Sequence, residues 1–305
     1  MSQPAESPQG HTGNQPGISI VIVHYNTFEL TRACLLSIRK DAAGIDPDVW
    51  VVDNGSSDGS GERLAAEFPD VHVLPAGGRL GFAAANNLAA RKSSGKYLLF
   101  LNSDTELRNR VLQQLVEFMD HTPDCAVSGV RLLRMDGSLD KACRRSFPTP
   151  LIALYKVLGL NALFPNSRHF SRYDLSHLPE TGRYRIECGV GAFMFCRRAV
   201  VEELGFFDED YFFYGEDIDL CYKVHLRGFE TWYLGDIDIL HHKRGTSLSG
   251  GGWVLYHFHL SMLVFYRKHY RQHYPWFVNM LVYGGVWLRY LLLRGAVAVA
   301  GRRAG

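Results

Sequence analysis

Between residues 18 and 104 the chain alternates short apolar runs with segments whose apolar positions recur every three or four residues. Each apolar run ends in polar or glycine-rich residues. This alternation predicts strands joined by covering helices, the pattern of a mostly parallel α/β sheet. The first run, 18–25, is nearly continuous and β-branched, as expected of a strand with helices on both faces. Asn26 and Glu29 stand at capping-box spacing and predict a helix running to about Lys40. Strands at 49–52, 71–74 and 97–101 follow, with helices at 60–68 and 82–92 between them.

Beyond 104 the pattern loosens. A helix is predicted near 108–120, and a proline-punctuated stretch from 147 to 179 suggests no chemistry. A glycine-interrupted apolar strand within 184–197 leads into a helix, and Gly215 opens another helix to about Leu226. From Trp253 onward the chain reads as aromatic and helical. In 276–300 the interior polar residues Asn279, Arg289 and Arg294 fall within about 140° of helical arc. That arc favours a helix lying in a membrane interface over one crossing it, since a crossing would bury two guanidinium groups. A helix packed on the domain with its arginines snorkelling out is the competing reading.

Charge and cysteine usage narrow the picture. The net charge of +2 hides an asymmetry: no acidic residue follows Asp238, and the final 67 residues carry nine lysines and arginines. Aliphatic and aromatic residues separate these cations, so an anionic membrane surface is the expected partner and nucleic acid is not. The six cysteines form no CxxC pair and read as reduced thiols, which fits a cytoplasmic protein, peripheral on the inner face of the cytoplasmic membrane. Residues 1–17 hold almost nothing to repay ordering and are expected to be a disordered tail.

Ligands of open α/β sheets bind beyond the carboxyl ends of the strands, where His24, Asn26, Asp53, Arg79, Asn102 and Asp104 fall. Four motifs occur in order, each after an apolar run or at a helix start. They are Val51-Val52-Asp53-Asn54-Gly55, Asn102-Ser103-Asp104, Gly215-Glu216-Asp217-Ile218-Asp219 and His241-His242-Lys243-Arg244-Gly245-Thr246-Ser247. With the stretch from Cys188 to Cys221, they closely resemble family 2 glycosyltransferases of the GT-A fold, in particular bacterial rhamnosyltransferase-like members.

The resemblance covers about 18–247 and implies a division of labour. The span 18–250 would be the catalytic domain, with a nucleotide-sugar half (18–104) and an acceptor half (105–250). The span 251–305 would be a helical, aromatic-rich extension. Asp53 would receive the donor's base or ribose, because a carboxylate accepts a base N–H. His24, Asn26, Arg79, Asn87 and Asn102 would complete the donor site. Asn102-Ser103-Asp104 matches the family's DxD motif with Asn in the first place, making Asp104 a ligand for Mn²⁺ or Mg²⁺ on the donor diphosphate. His242, with Gly245 and Ser247, matches the H-x-x-G-x-S loop whose histidine completes the metal site, with His241 able to exchange roles. Asp217 of the Glu-Asp pair would be the general base, with Glu216 and Asp219 in support.

The implied reaction is inverting transfer of a single sugar from a nucleotide-diphosphate sugar to a glycan or lipid-linked glycan, L-rhamnose being the family analogy. Two other readings compete: a decayed nucleotide-sugar-binding scaffold, and a nucleotidyltransferase. The joint presence of Asp104, Asp217 and His242 weighs against the first. The second normally carries a basic, glycine-rich phosphate loop, which His24-Tyr25-Asn26-Thr27 is not.

Overall fold

The computed structural model describes residues 17–243 and 251–303. Most of 1–17, together with Gly245 and Ser247, lies outside the described residues. The first half builds β1 (Ile18–His24), α1 (Phe28–Asp41), β2 (Asp48–Asp53), α2 (Ser60–Glu67), β3 (His72–Pro75), α3 (Phe82–Ala90) and β4 (Tyr97–Asn102). These four strands are parallel, in the order β3-β2-β1-β4.

Strand β1 shows why they sit where they do. Ile18, Ile20 and Ile22 point to one face and pack with α1, α2 and α4 (Val111–His121); Val21 points to the other and packs with α3. Both faces are covered, which is why the run lacks polar alternation.

The second half adds β5 (Thr105–Glu106), α4, β6 (Cys125–Leu133), α5 (Pro150–Val157), α6 (Leu160–Leu163), β7 (Arg183–Ile186), β8 (Phe193–Arg197), α7 (Arg198–Glu203), α8 (Glu216–Leu226) and β9 (Glu230–His241). Here the sheet is mixed: β8 runs antiparallel between β4 and β6, β9 parallel to β6, and β5 and β7 antiparallel to β9. The single strand expected within 184–197 is two strands in separate places. The chain breaks at Gly189-Val190-Gly191 and crosses from the β9 edge to the centre of the sheet.

Two helices complete the chain, α9 (Gly251–Phe265) and α10 (Trp276–Arg303). Helix α9 packs on the second half: Ser261 Oγ donates to the Phe213 carbonyl (2.9 Å), and Lys268, just beyond it, pairs with Asp208 (2.7 Å).

One local expectation fails. Asn26 and Glu29 form no capping box, because Thr27 precedes α1 without a side-chain cap and Asn26 takes a left-handed conformation (φ 49°). Its carboxamide turns away from the helix and accepts from Ser57 N (2.9 Å) in the loop after β2.

Candidate active site

The loops after β1, β2 and β3 are stitched together by short polar side chains. Asn26 N donates to Ser56 Oγ (3.1 Å), and Asp53 Oδ1 accepts from Ser56 N (3.0 Å). Asn54 grips the third loop through its backbone, accepting from Leu80 N (2.7 Å) and donating to Leu80 O (3.0 Å). Gly55 has φ +81°, and a Cβ there would lie 3.0 Å from the Gly78 carbonyl carbon, so the close approach requires glycine. Arg79 rides above this platform, its guanidinium 4.5 Å from the Tyr25 ring centroid and 5.6 Å from that of Trp253 on α9.

Two residues expected at the donor belong to the scaffold beneath it. His24 is wholly buried, with Nδ1 2.7 Å from Thr31 Oγ1 and Nε2 2.6 Å from Ser60 Oγ. Burial holds its pKa below the ordinary value against the pull of Asp53 and Asp58, so a neutral ring ties α1 to α2. Asn87 is also fully buried. It accepts from Phe207 N (3.1 Å) and donates to Phe207 O (2.8 Å) and Glu209 (2.9 Å), fastening α3 to the loop before α8.

At the end of β4, Asp104 lies in a turn, nearly buried. It does not cap α4: Asp41 does, accepting from Val111 N and Leu112 N at 2.9 Å each. The two histidines point to different carboxylates. His241 Nε2 is 3.4 Å from Asp104 Oδ1 and its Nδ1 is 3.2 Å from Asp140, whereas His242 turns to Glu106 (2.5 Å) and meets Asp104 only through its backbone N–H (2.8 Å). Burial opposes a charge on His241, but Asp104 and Asp140 outweigh it and carry its pKa up to about 9. Sequence reasoning missed Asp140 and Glu106; each lies more than a hundred positions from its histidine, beyond the reach of any spacing rule.

Among the described residues, no group of three or more His, Cys, Asp or Glu side chains could hold a metal ion by itself. The donor set therefore fits a cation that arrives with ligands of its own. Asp104 would supply a hard oxygen, and His241 would have to release a proton before its imidazole could add a nitrogen, while a diphosphate and water would provide the other ligands.

A second cluster of expected site residues lies at the start of α8. Asp217 Oδ2 accepts from Arg145 Nη2 (2.6 Å) and Gly191 N (3.1 Å), and Oδ1 accepts from Ile218 N (2.8 Å). Arg145 also donates to the Gly189 carbonyl, so this nearly buried cation locks the carboxylate to the segment before β8. It comes from the stretch 143–147, whose paired arginines between Cys143 and Phe147 were the overlooked signal.

Glu216 is as buried as Asp217, and its Oε2 has no hydrogen-bond partner. Burial first, then the Asp217 charge, push its pKa up to about 8. Asp219, the other residue expected in support, is tied into the fold around α8. It is fully buried and bound to Tyr211 Oη (3.1 Å), His269 (2.6 Å) and Lys223 (2.6 Å).

One dipeptide joins the two sides. Ala192 O accepts from Asn102 N (3.0 Å), while the preceding Gly191 N donates to Asp217. The DxD-like turn and the carboxylate pair are thus separated by a single extended segment. Phe82 N donates to Phe212 O (2.9 Å), tying the glycine-rich turn before α3 to the approach to α8.

The profile of Glycosyl transferase family 2 matches residues 19–205, more than half of the chain. The chain belongs to glycosyl transferase family 2. Its relatives include the low-salt glycan biosynthesis hexosyltransferase Agl10 of Haloferax volcanii, 26% identical over 231 residues (74% of this chain, 67% of the relative). The N-acetylglucosaminyl-diphospho-decaprenol L-rhamnosyltransferase of Mycobacterium tuberculosis is 26% identical over 206 residues (64% of this chain, 66% of that protein). This family 2 chain thus spans about two thirds of each relative's length.

Among solved structures, the mannosyltransferase PcManGT of Pyrobaculum calidifontis, in complex with GDP-Man and Mn²⁺, superposes with a TM-score of 0.55 at 18% identity. The match covers 95% of this chain and 76% of that one, and it supports the GT-A fold. Family membership makes the protein a glycosyltransferase and sets the nucleotidyltransferase reading aside.

Proposed function

We propose that this glycosyltransferase moves one sugar, with inversion, from a nucleotide-diphosphate sugar to a hydroxyl of a glycan or lipid-linked glycan used in cell-surface polysaccharide. The observation that carries the reading is the Gly191-Ala192 segment, which hydrogen-bonds both the end of β4 at Asn102 and the Asp217 carboxylate.

In this reading Asp53 and Arg79 receive the nucleoside, supported by the loop platform beneath them. Asp104 and the neighbouring imidazoles face the diphosphate, and a bound divalent cation would neutralise the charge that builds on it as the glycosidic bond breaks. The acceptor hydroxyl gives its proton to Asp217, and its oxygen forms the new bond at the anomeric carbon. The bonding pair of the breaking bond leaves with the diphosphate. Arg145 and Gly191 N fix the rotamer of Asp217, and a protonated Glu216 leaves it the single charged base of the pair.

Rhamnose is the sugar of the mycobacterial relative's name, and a lipid diphosphate is that relative's acceptor. The test is a screen of donor hydrolysis and transfer across nucleotide sugars, with and without Mn²⁺. Metal-stimulated turnover of one donor supports the proposal; no turnover of any donor by folded protein contradicts it.

A further inference from the structure

Helix α10 is built inside out for a helix in water. Its polar interior residues turn inward: Asn279 Oδ1 accepts from Tyr266 Oη (2.5 Å), and Asn279 Nδ2 donates to the carbonyls of Arg271 and Tyr274 (3.2 Å each). Arg289 Nη1 donates to His259 Nε2 (2.8 Å) on α9, while His259 Nδ1 donates to Leu255 O (2.7 Å).

The outward face is apolar instead. Trp276, Phe277, Met280, Leu281, Leu288, Leu291 and Leu292 recur at helical spacing and are all more than half exposed, Leu281 at 72% and Leu292 at 66%. A stripe of this length exceeds the scattered apolar exposure of ordinary surfaces.

We infer that the α9–α10 hairpin is a docking surface for an anionic lipid bilayer, into whose interface the outer stripe of α10 sinks. Charge selects this occupant. Arg267 and Arg271 are exposed in the turn where the stripe begins, Arg294 is exposed near its other end, and none pairs with a carboxylate among the described residues. No acidic residue follows Asp238 to repel anionic headgroups.

The hairpin lies in the interface and does not cross it. Trp276–Ala296 is long and apolar enough to span, but α10 is held against α9 as far as Tyr290, through Tyr256 and His259, and α9 is fixed on the catalytic domain. The surface goes beyond the transfer reaction, although Trp253, in the first turn of α9, also stands beside Arg79 at the donor loop.

The test is co-sedimentation of the full chain with phosphatidylcholine vesicles, with and without phosphatidylglycerol, over a salt series. The expected result is binding to the anionic vesicles that weakens with salt. The double variant Leu288→Glu/Leu292→Glu, folded by circular dichroism, should lower the partition coefficient by at least about tenfold. Arg267→Gln/Arg271→Gln should flatten the salt dependence. Equal sedimentation of the Leu double variant and the wild type overturns the inference, as does absence of binding to either vesicle. A dimer in light scattering that the Leu double variant dissolves would assign the stripe to a second copy and also overturn it. Donor hydrolysis in the same samples reports separately on the transferase reading.

Discussion

At the carboxyl ends of β1 and β2 the polar side chains are spent on the fold: His24 has both ring nitrogens engaged, Asn26 and Asn54 each hold a neighbouring loop, and Asp53 braces its own. At the start of α8 the balance is different. Of two adjacent buried carboxylates, one is paired with Arg145, and the other has an oxygen with no hydrogen-bond partner. Satisfied networks make rigid platforms, and Asp217, with partners on both oxygens, is held in one orientation beside a Glu216 that lacks one. In the proposed function the first region is a shaped scaffold for the donor, and the base lies at the start of α8.

Four outcomes would sharpen or break that contrast. The largest concerns the diphosphate, which in the proposed function faces the Asp104 turn. Excess EDTA should abolish transfer, with recovery on adding Mn²⁺, and Asp104→Asn should weaken metal-dependent donor binding by about 10- to 100-fold. Donor titration followed by calorimetry checks this; turnover unaffected by chelation would remove the metal from the account.

Next is Arg145→Lys, which keeps the charge but loses the planar fork that reaches both Asp217 and Gly189. Transfer should fall about tenfold through kcat, with donor KM unchanged. A change confined to KM would place Arg145 in binding.

A third variant probes the scaffold. Asn87→Ala removes the partners of Phe207 N and O and should cost about 1–3 kcal/mol in denaturant unfolding while leaving donor affinity intact. Loss of affinity without loss of stability would return Asn87 to the donor site.

The smallest effect is a pH dependence. In the fold Glu216 titrates above its ordinary 4.5, near 8, so the native state keeps a proton that the unfolded chain has released. The stability linked to that proton is complete below about pH 4.5 and is lost as pH rises through about 8. Glu216→Gln should therefore match the wild type in melting temperature at about pH 5 and exceed it at about pH 9.

What the sequence showed, and what it hid, follows the range of the forces involved. Strands β1 to β4 were legible because short apolar runs closed by polar or glycine-rich turns mark parallel strands, and the motifs at Asp104 and Glu216-Asp217 could be picked out because they are local. The split of 184–197 between β7 and β8 was hidden: an apolar run records burial, not which neighbour it pairs with. The capping-box spacing at Asn26 misled because a left-handed backbone aimed its side chain at another loop. The partners of the histidines, Asp140 and Glu106, and the clamp on Asp217, Arg145, come from distant segments that only the folded sheet brings together.

The central claim is that Asp217 accepts the acceptor's proton, and Asp217→Asn tests it most directly. Asn preserves the shape and serves as well as Asp at a helix start, but it cannot take a proton. With folding confirmed by circular dichroism, the variant should bind donor nearly normally and transfer sugar about 10²- to 10⁴-fold more slowly. Near-normal transfer by this variant would contradict the account and move the base to Glu216.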